Sequence, residues 1–389
     1  MKLFKSLLVA PATLGLLAPM SVTANELNIA EVSNYSSSEE VQNISEFNTK
    51  ELAVTNSRVD GLEARMNNFE AGGFSETTTA SFSANMFLGS VDGGTTTTDN
   101  PVMAGYDFEI GLNTSFTGED SLDITLEAGN ASGASVVEFG GNTGGDTVTV
   151  DGVSYSFPLG DSLTVMVGDN TDGSALFTTA CVYGGPSDTL DDCGNVNANI
   201  TNGGVMAGAA YDFGNGFTAA IGYAGPETAI GTDEYGDDYA VNAAYTGDNF
   251  GVSLTVAAVE TDASTTQIDH YKDSYTALNA YYAFDAFSIS GGYEIGDDGS
   301  ANIDTDLDEL TSYFIGVNFD EVGPGSAGIA MGTKTPTVED SDDQMMYEAY
   351  YSYPVNDGMT ITPLVYSKET NTAGADDETG VMVKTSFSF

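Results

Sequence analysis

The carboxyl-terminal stretch Thr379-Gly-Val-Met-Val-Lys-Thr-Ser-Phe-Ser-Phe389 alternates residue by residue. Val381, Val383, Thr385, Phe387 and Phe389 fall on one face; Met382, Lys384, Ser386 and Ser388 fall on the other. Successive side chains of a strand point to opposite sides, so this is a strand with one apolar and one polar face. A soluble sandwich also alternates. A membrane barrel in addition requires the pattern to recur in segments of about ten residues, with aromatic residues near strand ends. Phe387 and Phe389 meet that requirement at the chain terminus, where they are read as the assembly signal.

Working back from the terminus, the alternation recurs. One early segment places Thr78, Ala80, Phe82, Ala84, Met86 and Leu88 on a single face, and the next places Tyr106, Phe108, Ile110, Leu112 and Phe116. Short turn sequences such as Gly118-Glu119-Asp120, Gly160-Asp161-Ser162 and Gly214-Asn215-Gly216 alternate with longer acidic stretches, of which 170–203 is the longest. Short turns at one end and long loops at the other are the habit of transmembrane barrels. Counting on this basis predicts an all-β fold over 74–389: a closed antiparallel transmembrane barrel of about sixteen strands. In lipid every backbone polar group must pair, which requires the sheet to close.

Composition agrees. The formal net charge of −49 excludes a nucleic-acid binder, which needs a basic face. Residues 1–24 read as a signal peptide: Lys2 and Lys5, an apolar run from Leu7 to Leu17, then Val22-Thr23-Ala24 as a cleavage site. Residues 25–50 read as a flexible acidic segment. Over 51–71, Leu52, Val59 and Met66 are spaced by seven, as are Thr55, Leu62 and Phe69. This predicts a short coiled coil, the alternative being one amphipathic helix against the barrel mouth. Export implies an oxidising compartment, where Cys181 and Cys193 are read as a disulfide rather than two free thiols.

The signal-like start, the Glu51–Arg65 segment Glu-Leu-Ala-Val-Thr-Asn-Ser-Arg-Val-Asp-Gly-Leu-Glu-Ala-Arg and the Phe74–Thr79 entry Phe-Ser-Glu-Thr-Thr-Thr carry a resemblance. They resemble cyanobacterial outer-membrane porins of the carbohydrate-selective, iron-uptake porin group, and are most similar to marine picocyanobacterial members. The resemblance implies a homotrimer in outer-membrane lipid, with the N-terminal helix in the periplasm and small hydrophilic solutes passing through. The family's surface-layer homology domain has no counterpart in residues 25–50, so attachment to peptidoglycan is not expected. In trimeric porins the third long loop folds inward, which makes 170–203 the candidate constriction, the alternative being a capped extracellular loop.

No catalytic, cofactor or metal constellation is legible: the sequence has a single histidine, His270, and no phosphate loop or nucleophile elbow. The chain is read as neither an enzyme nor a cofactor carrier. From residue 77 onward 48 acids face four lysines, a net of −44. By inward parity the pore-lining candidates are Asp107, Glu109, Asp123 and Glu127, the lysines Lys334, Lys368 and Lys384, and the aromatics Tyr350 and Tyr366. The three lysines form one basic patch or, alternatively, are individually paired. The expected function is passive diffusion with a mild cation preference. A carbohydrate- or anion-preferring channel, or a structural anchor or adhesin, are the alternatives.

Overall fold

A computed structural model describes the chain from Thr77 to Phe389, apart from loop residues 95–100, 133–135, 202–203, 229, 233–235, 262–270, 299–307, 339–341, 371 and 373. The expected signal peptide, acidic segment and coiled coil lie outside the described residues, as does His270.

Seventeen strands follow one another: β1 (Thr78–Asp92), β2 (Met103–Thr114), β3 (Ser121–Gly129), β4 (Thr149–Leu159), β5 (Leu163–Asp169), β6 (Val205–Gly214), β7 (Phe217–Gly225), β8 (Asp238–Thr246) and β9 (Phe250–Thr261), then β10 (Tyr271–Ala283), β11 (Ser288–Asp298), β12 (Asp308–Val322), β13 (Gly325–Thr333), β14 (Thr337–Val338), β15 (Met345–Asn356), β16 (Met359–Lys368) and β17 (Glu378–Ser388). Neighbours pair antiparallel throughout. The two-residue β14 pairs with β12, while β13 pairs directly with β15. Sixteen strands therefore form the wall.

The sheet closes on itself because β1 pairs with both β2 and β17. Phe389 finishes the seam. Its N–H donates to the Phe82 carbonyl at 3.1 Å, its carbonyl accepts from the Phe82 N–H at 3.0 Å, and the two rings stack at 6.1 Å. Closure leaves no edge with unpaired backbone groups.

The alternation seen in sequence sorts the wall into two faces. Met86, Ile221, Val241, Val365 and Val381 are exposed on the outside, which suits a wall facing lipid. Phe87, Met206, Thr255, Asn279, Leu364 and Met382 are buried inside. At the turn end, aromatics pack in a Phe-rich girdle that includes Phe217 tilted against Tyr245 and Phe284 stacked on Phe287. Gly214, Asn215 and Gly216 all have positive φ, the left-handed conformation that glycine and asparagine tolerate best. The first turn is tied by Asp120, whose carboxylate accepts from Ser115 Oγ, the Phe116 and Thr117 N–H groups, Thr117 Oγ1 and the Tyr155 hydroxyl. Burial opposes its ionisation, but these donors prevail and hold the carboxyl well below the usual range.

Candidate pore and its inward loops

The connection after β5 (residues 170–204, here L3) does not stay outside the barrel. At its base the Asn170 N–H donates to the Gly204 carbonyl at 2.9 Å. Its backbone then crosses the interior over successive strands, met at each by a wall side chain. The Thr178 N–H donates to Asn242 Oδ1 of β8 at 3.1 Å, the Ala180 N–H to Ser253 Oγ of β9 at 2.8 Å, and the Val182 N–H to Ser290 Oγ of β11 at 3.0 Å. Asn318 of β12 donates to the Val182 carbonyl at 2.8 Å, and the Tyr183 hydroxyl donates to Glu348 of β15 at 2.5 Å. Side chains thus do for L3 what a backbone ladder does for a strand.

The return limb is held as firmly. Asn279 of β10 donates to the Cys193 carbonyl at 2.9 Å. Glu294 of β11, 1% exposed, accepts from the Asn197 N–H, the Asn197 side-chain amide and the Ala198 N–H, all within 2.8–3.0 Å. Two wall glycines permit the approach. A Cβ on Gly222 would sit 2.0 Å from the Gly173 carbonyl oxygen, and one on Gly292 would sit 1.8 Å from that of Cys193. Cys181 and Cys193 are joined across a separation of 12, with Cα atoms 6.5 Å apart. A link of this span withdraws about 3 kcal/mol of loop entropy from the undocked state. The Cys181→Ser/Cys193→Ser variant is therefore expected to keep its barrel but to exchange L3 amides faster, measured by hydrogen exchange. Unchanged L3 protection would count against the link as a stiffener.

The connection after β3 (residues 130–148, here L2) joins L3 inside. A single 3-10 turn at Val137–Phe139 buries Phe139, which stacks on Phe87 at 5.6 Å. Glu138 forms an ion pair with Lys368 and accepts from Thr189 Oγ1 at 2.9 Å, while its carbonyl accepts from the Asp188 N–H at 2.9 Å. Phe87, Phe139, Leu190, Phe314, Met346, Leu364 and Met382 form one apolar cluster between these loops and the wall.

These contacts revise the expected lining. Tyr350 and Tyr366 do face inward, but the loops cover them: Tyr366 is 1% exposed and donates to Glu378, and Tyr350 donates to Asn318. They do not line open water. Nor do the lysines form one open basic patch. Lys368 is paired with Glu138. Lys334 lies 3.4 Å from both Gln344 Oε1 and the Glu369 carbonyl, and Lys384 lies 5.9 Å from the centre of the Phe87 ring. The acids fare differently. Glu109 is exposed to the interior and stands opposite Glu127 in the β2–β3 register. Asp107 accepts from Asn85 at 2.8 Å, and Asp123 accepts from Asn113 at 2.6 Å. On L3, desolvation assisted by Asp188 raises Asp191 to about 6. Desolvation assisted by Asp191 and Asp188 raises Asp192 to about 7. Sequence reasoning did not single out the residues that anchor L3, namely Asn242, Ser253, Ser290, Glu294, Asn318 and Glu348. Their common signal is a polar residue at inward parity near the same level of successive strands.

Among the described residues no group of His, Cys, Asp and Glu is arranged to hold a metal ion. No family model matches the chain. An uncharacterized protein of Nostoc sp. is 27% identical over 90% of this chain and 72% of its own length. OprB of Pseudomonas putida superposes with a TM-score of 0.64 at 11% identity, covering 80% of this chain and 94% of its own. An anion-selective porin from Comamonas acidovorans gives 0.59 at 15% identity, covering 80% and 99%. The trimer form of OmpT from Vibrio cholerae gives 0.56 at 11% identity, covering 81% and 100%. The chain thus has the sixteen-stranded fold of outer-membrane porins, which are channels.

Proposed function

We propose that this chain is a passive outer-membrane diffusion channel for small hydrophilic solutes and ions, with a mild preference for cations. The observation that carries the reading is the path of L3. It is pinned across the interior to β8, β9, β11, β12 and β15, opposite the β2–β3 wall that bears Asp107, Glu109, Asp123 and Glu127. A stiff crosswise loop sets a size limit, and accessible carboxylates set the sign of the favoured ion. On this reading the short turns and the carboxyl terminus are periplasmic, and L2 and L3 enter from outside. A trimer is supported by the trimeric OmpT form, and a cyanobacterial porin relationship by the Nostoc protein.

The test is the zero-current potential of a planar bilayer across a KCl gradient. Asp191 and Asp192 are neutral below their raised values and ionise as pH rises through about 6 to about 7. Cation preference is therefore expected to be stronger at about pH 8 than at about pH 5, by up to two loop charges. An anion preference at the higher pH would overturn the reading. The second reading, an anion- or carbohydrate-preferring channel, is favoured by Lys384 on the inner wall. Lys384→Glu separates the two, since only that reading predicts a large loss of anion permeability.

A further inference from the structure

Acids crowd where L2 and L3 meet the wall. Glu138 of L2, Asp188 and Asp191 of L3 and Glu348 of β15 lie within one another's fields. The charges acting most strongly on Glu348 are Glu138 and Asp191, and those acting on Asp191 are Asp188 and Glu138. Backbone contacts keep them together: the Asp188 N–H donates to the Glu138 carbonyl, and a Cβ on Gly140 of L2 would sit 2.8 Å from Asp188 Oδ1. Lys368 pairs with Glu138. Each of the other lysines from residue 77 onward has a partner of its own: Lys334 has Gln344 and the Glu369 carbonyl, Lys384 the Phe87 ring, and Lys272 Glu260. Four like charges at this corner thus share one cation that is already paired.

Carboxylates on a loop are ordinarily solvated, but the buried side of this corner is different. Glu348 is 5% exposed and Ser187 1%. The Tyr183 hydroxyl engages Glu348 Oε1 at 2.5 Å. Glu348 and Ser187 are close enough to act on each other, yet Glu348 Oε2 and Ser187 Oγ form no hydrogen bond of ordinary geometry, with each other or with any other group. A buried acceptor left unmade is costly, and more so when charged. Two such oxygens side by side, amid excess negative charge, are matched by a shared cation. The donors are all oxygen, which suits a hard divalent ion. No three carboxylates close on one point among the described residues, so water must complete the shell. That uneven set fits the flexible geometry of Ca²⁺ better than the strict octahedron of Mg²⁺. We propose that Glu348 Oε2, Ser187 Oγ and the Asp191 carboxylate hold a partly hydrated Ca²⁺, which ties L3 to β15.

The full chain, folded in detergent and stripped with EDTA, would be titrated with Ca²⁺ by equilibrium dialysis in about 0.2 M KCl, which screens the exposed loop acids. One saturable site per chain is expected, with a Kd of about 10⁻⁴–10⁻³ M, the range of extracellular calcium modules. Glu348→Gln is expected to weaken it at least about tenfold, since loss of even a supporting group costs that much. Glu227→Gln, on another loop, is expected to leave it intact. Heat resistance in electrophoresis reports whether each variant keeps its barrel. Should Glu348→Gln lose the barrel, Ser187→Ala and Asp191→Asn decide, because Ser187 Oγ bonds nothing and Asp191 is exposed. Ca²⁺ is also expected to slow exchange of the Ser187, Asp188 and Thr189 amides in the wild type but not in Asp191→Asn. The proposal is overturned by uptake that stays linear with Ca²⁺, by a site equally strong in the variants, or by Mg²⁺ binding as tightly. Conductance enters none of these readouts, so their failure would leave the channel reading standing.

Discussion

Glu294→Ala is expected to raise single-channel conductance and to make it noisy. Glu294 is buried, and in the wild type it satisfies two backbone N–H groups and one side-chain amide on the return limb of L3. Removing it leaves those donors without acceptors in a desolvated place, at about 1–3 kcal/mol each. A loss of that size is enough to let the Asn195–Asn199 segment leave the wall for part of the time. Glu294→Gln keeps one acceptor oxygen and should give a smaller change. Faster amide exchange at Asn197 and Ala198 should accompany the rise in conductance. Wild-type conductance with wild-type protection would remove Glu294 from the account of how L3 is held.

The second large effect is expected at Lys368. Its ammonium is the charge partner of Glu138, whose side chain is 4% exposed where L2 meets L3. Lys368→Met leaves a buried carboxylate uncompensated, which costs about 3–5 kcal/mol. The cost falls on L2, which should detach, exposing Phe139 and Phe87. Adding Glu138→Leu removes the stranded charge and should recover most of the loss, since an apolar pair in a buried site is often as stable as the ion pair. Unfolding curves for the two single variants and the double variant give the coupling directly. A fully additive double variant would show that the pair does not hold L2.

The wall was legible because lipid imposes a simple rule on it. Val381 points out and Met382 points in because a strand crossing a membrane must present one face to hydrocarbon, and that constraint acts on neighbours in sequence. The interior was not legible in the same way. Parity places Tyr350, Tyr366, Lys368 and Glu109 inside equally well, but it does not say which of them a loop will cover. Covering depends on segments far along the chain. Lys368 is neutralised by a residue 230 positions earlier, and Tyr183 meets Glu348 across 165. Phe87 shows the same limit: alone it is an inward apolar residue in a polar lumen, and it makes sense only once Phe139 lies against it.

The apolar cluster inside the barrel also bears on the order in which the molecule is made. Its members come from both flanks of the closing joint: Phe87 and Val91 from the first strand, Met382 from the last, Leu364 and Tyr366 from the one before. Until those flanks meet, the surface on which L2 rests is split between the two ends of the sheet, since L2 touches Phe87 on one side and Lys368 on the other. Docking of L2 must then follow zipping of the final strand pair, and the docked loop in turn clamps that pair from within. The anchors of L3 lie on strands that need no such joint, so the two loops would settle at different stages, and slippage of the joint would release L2 first.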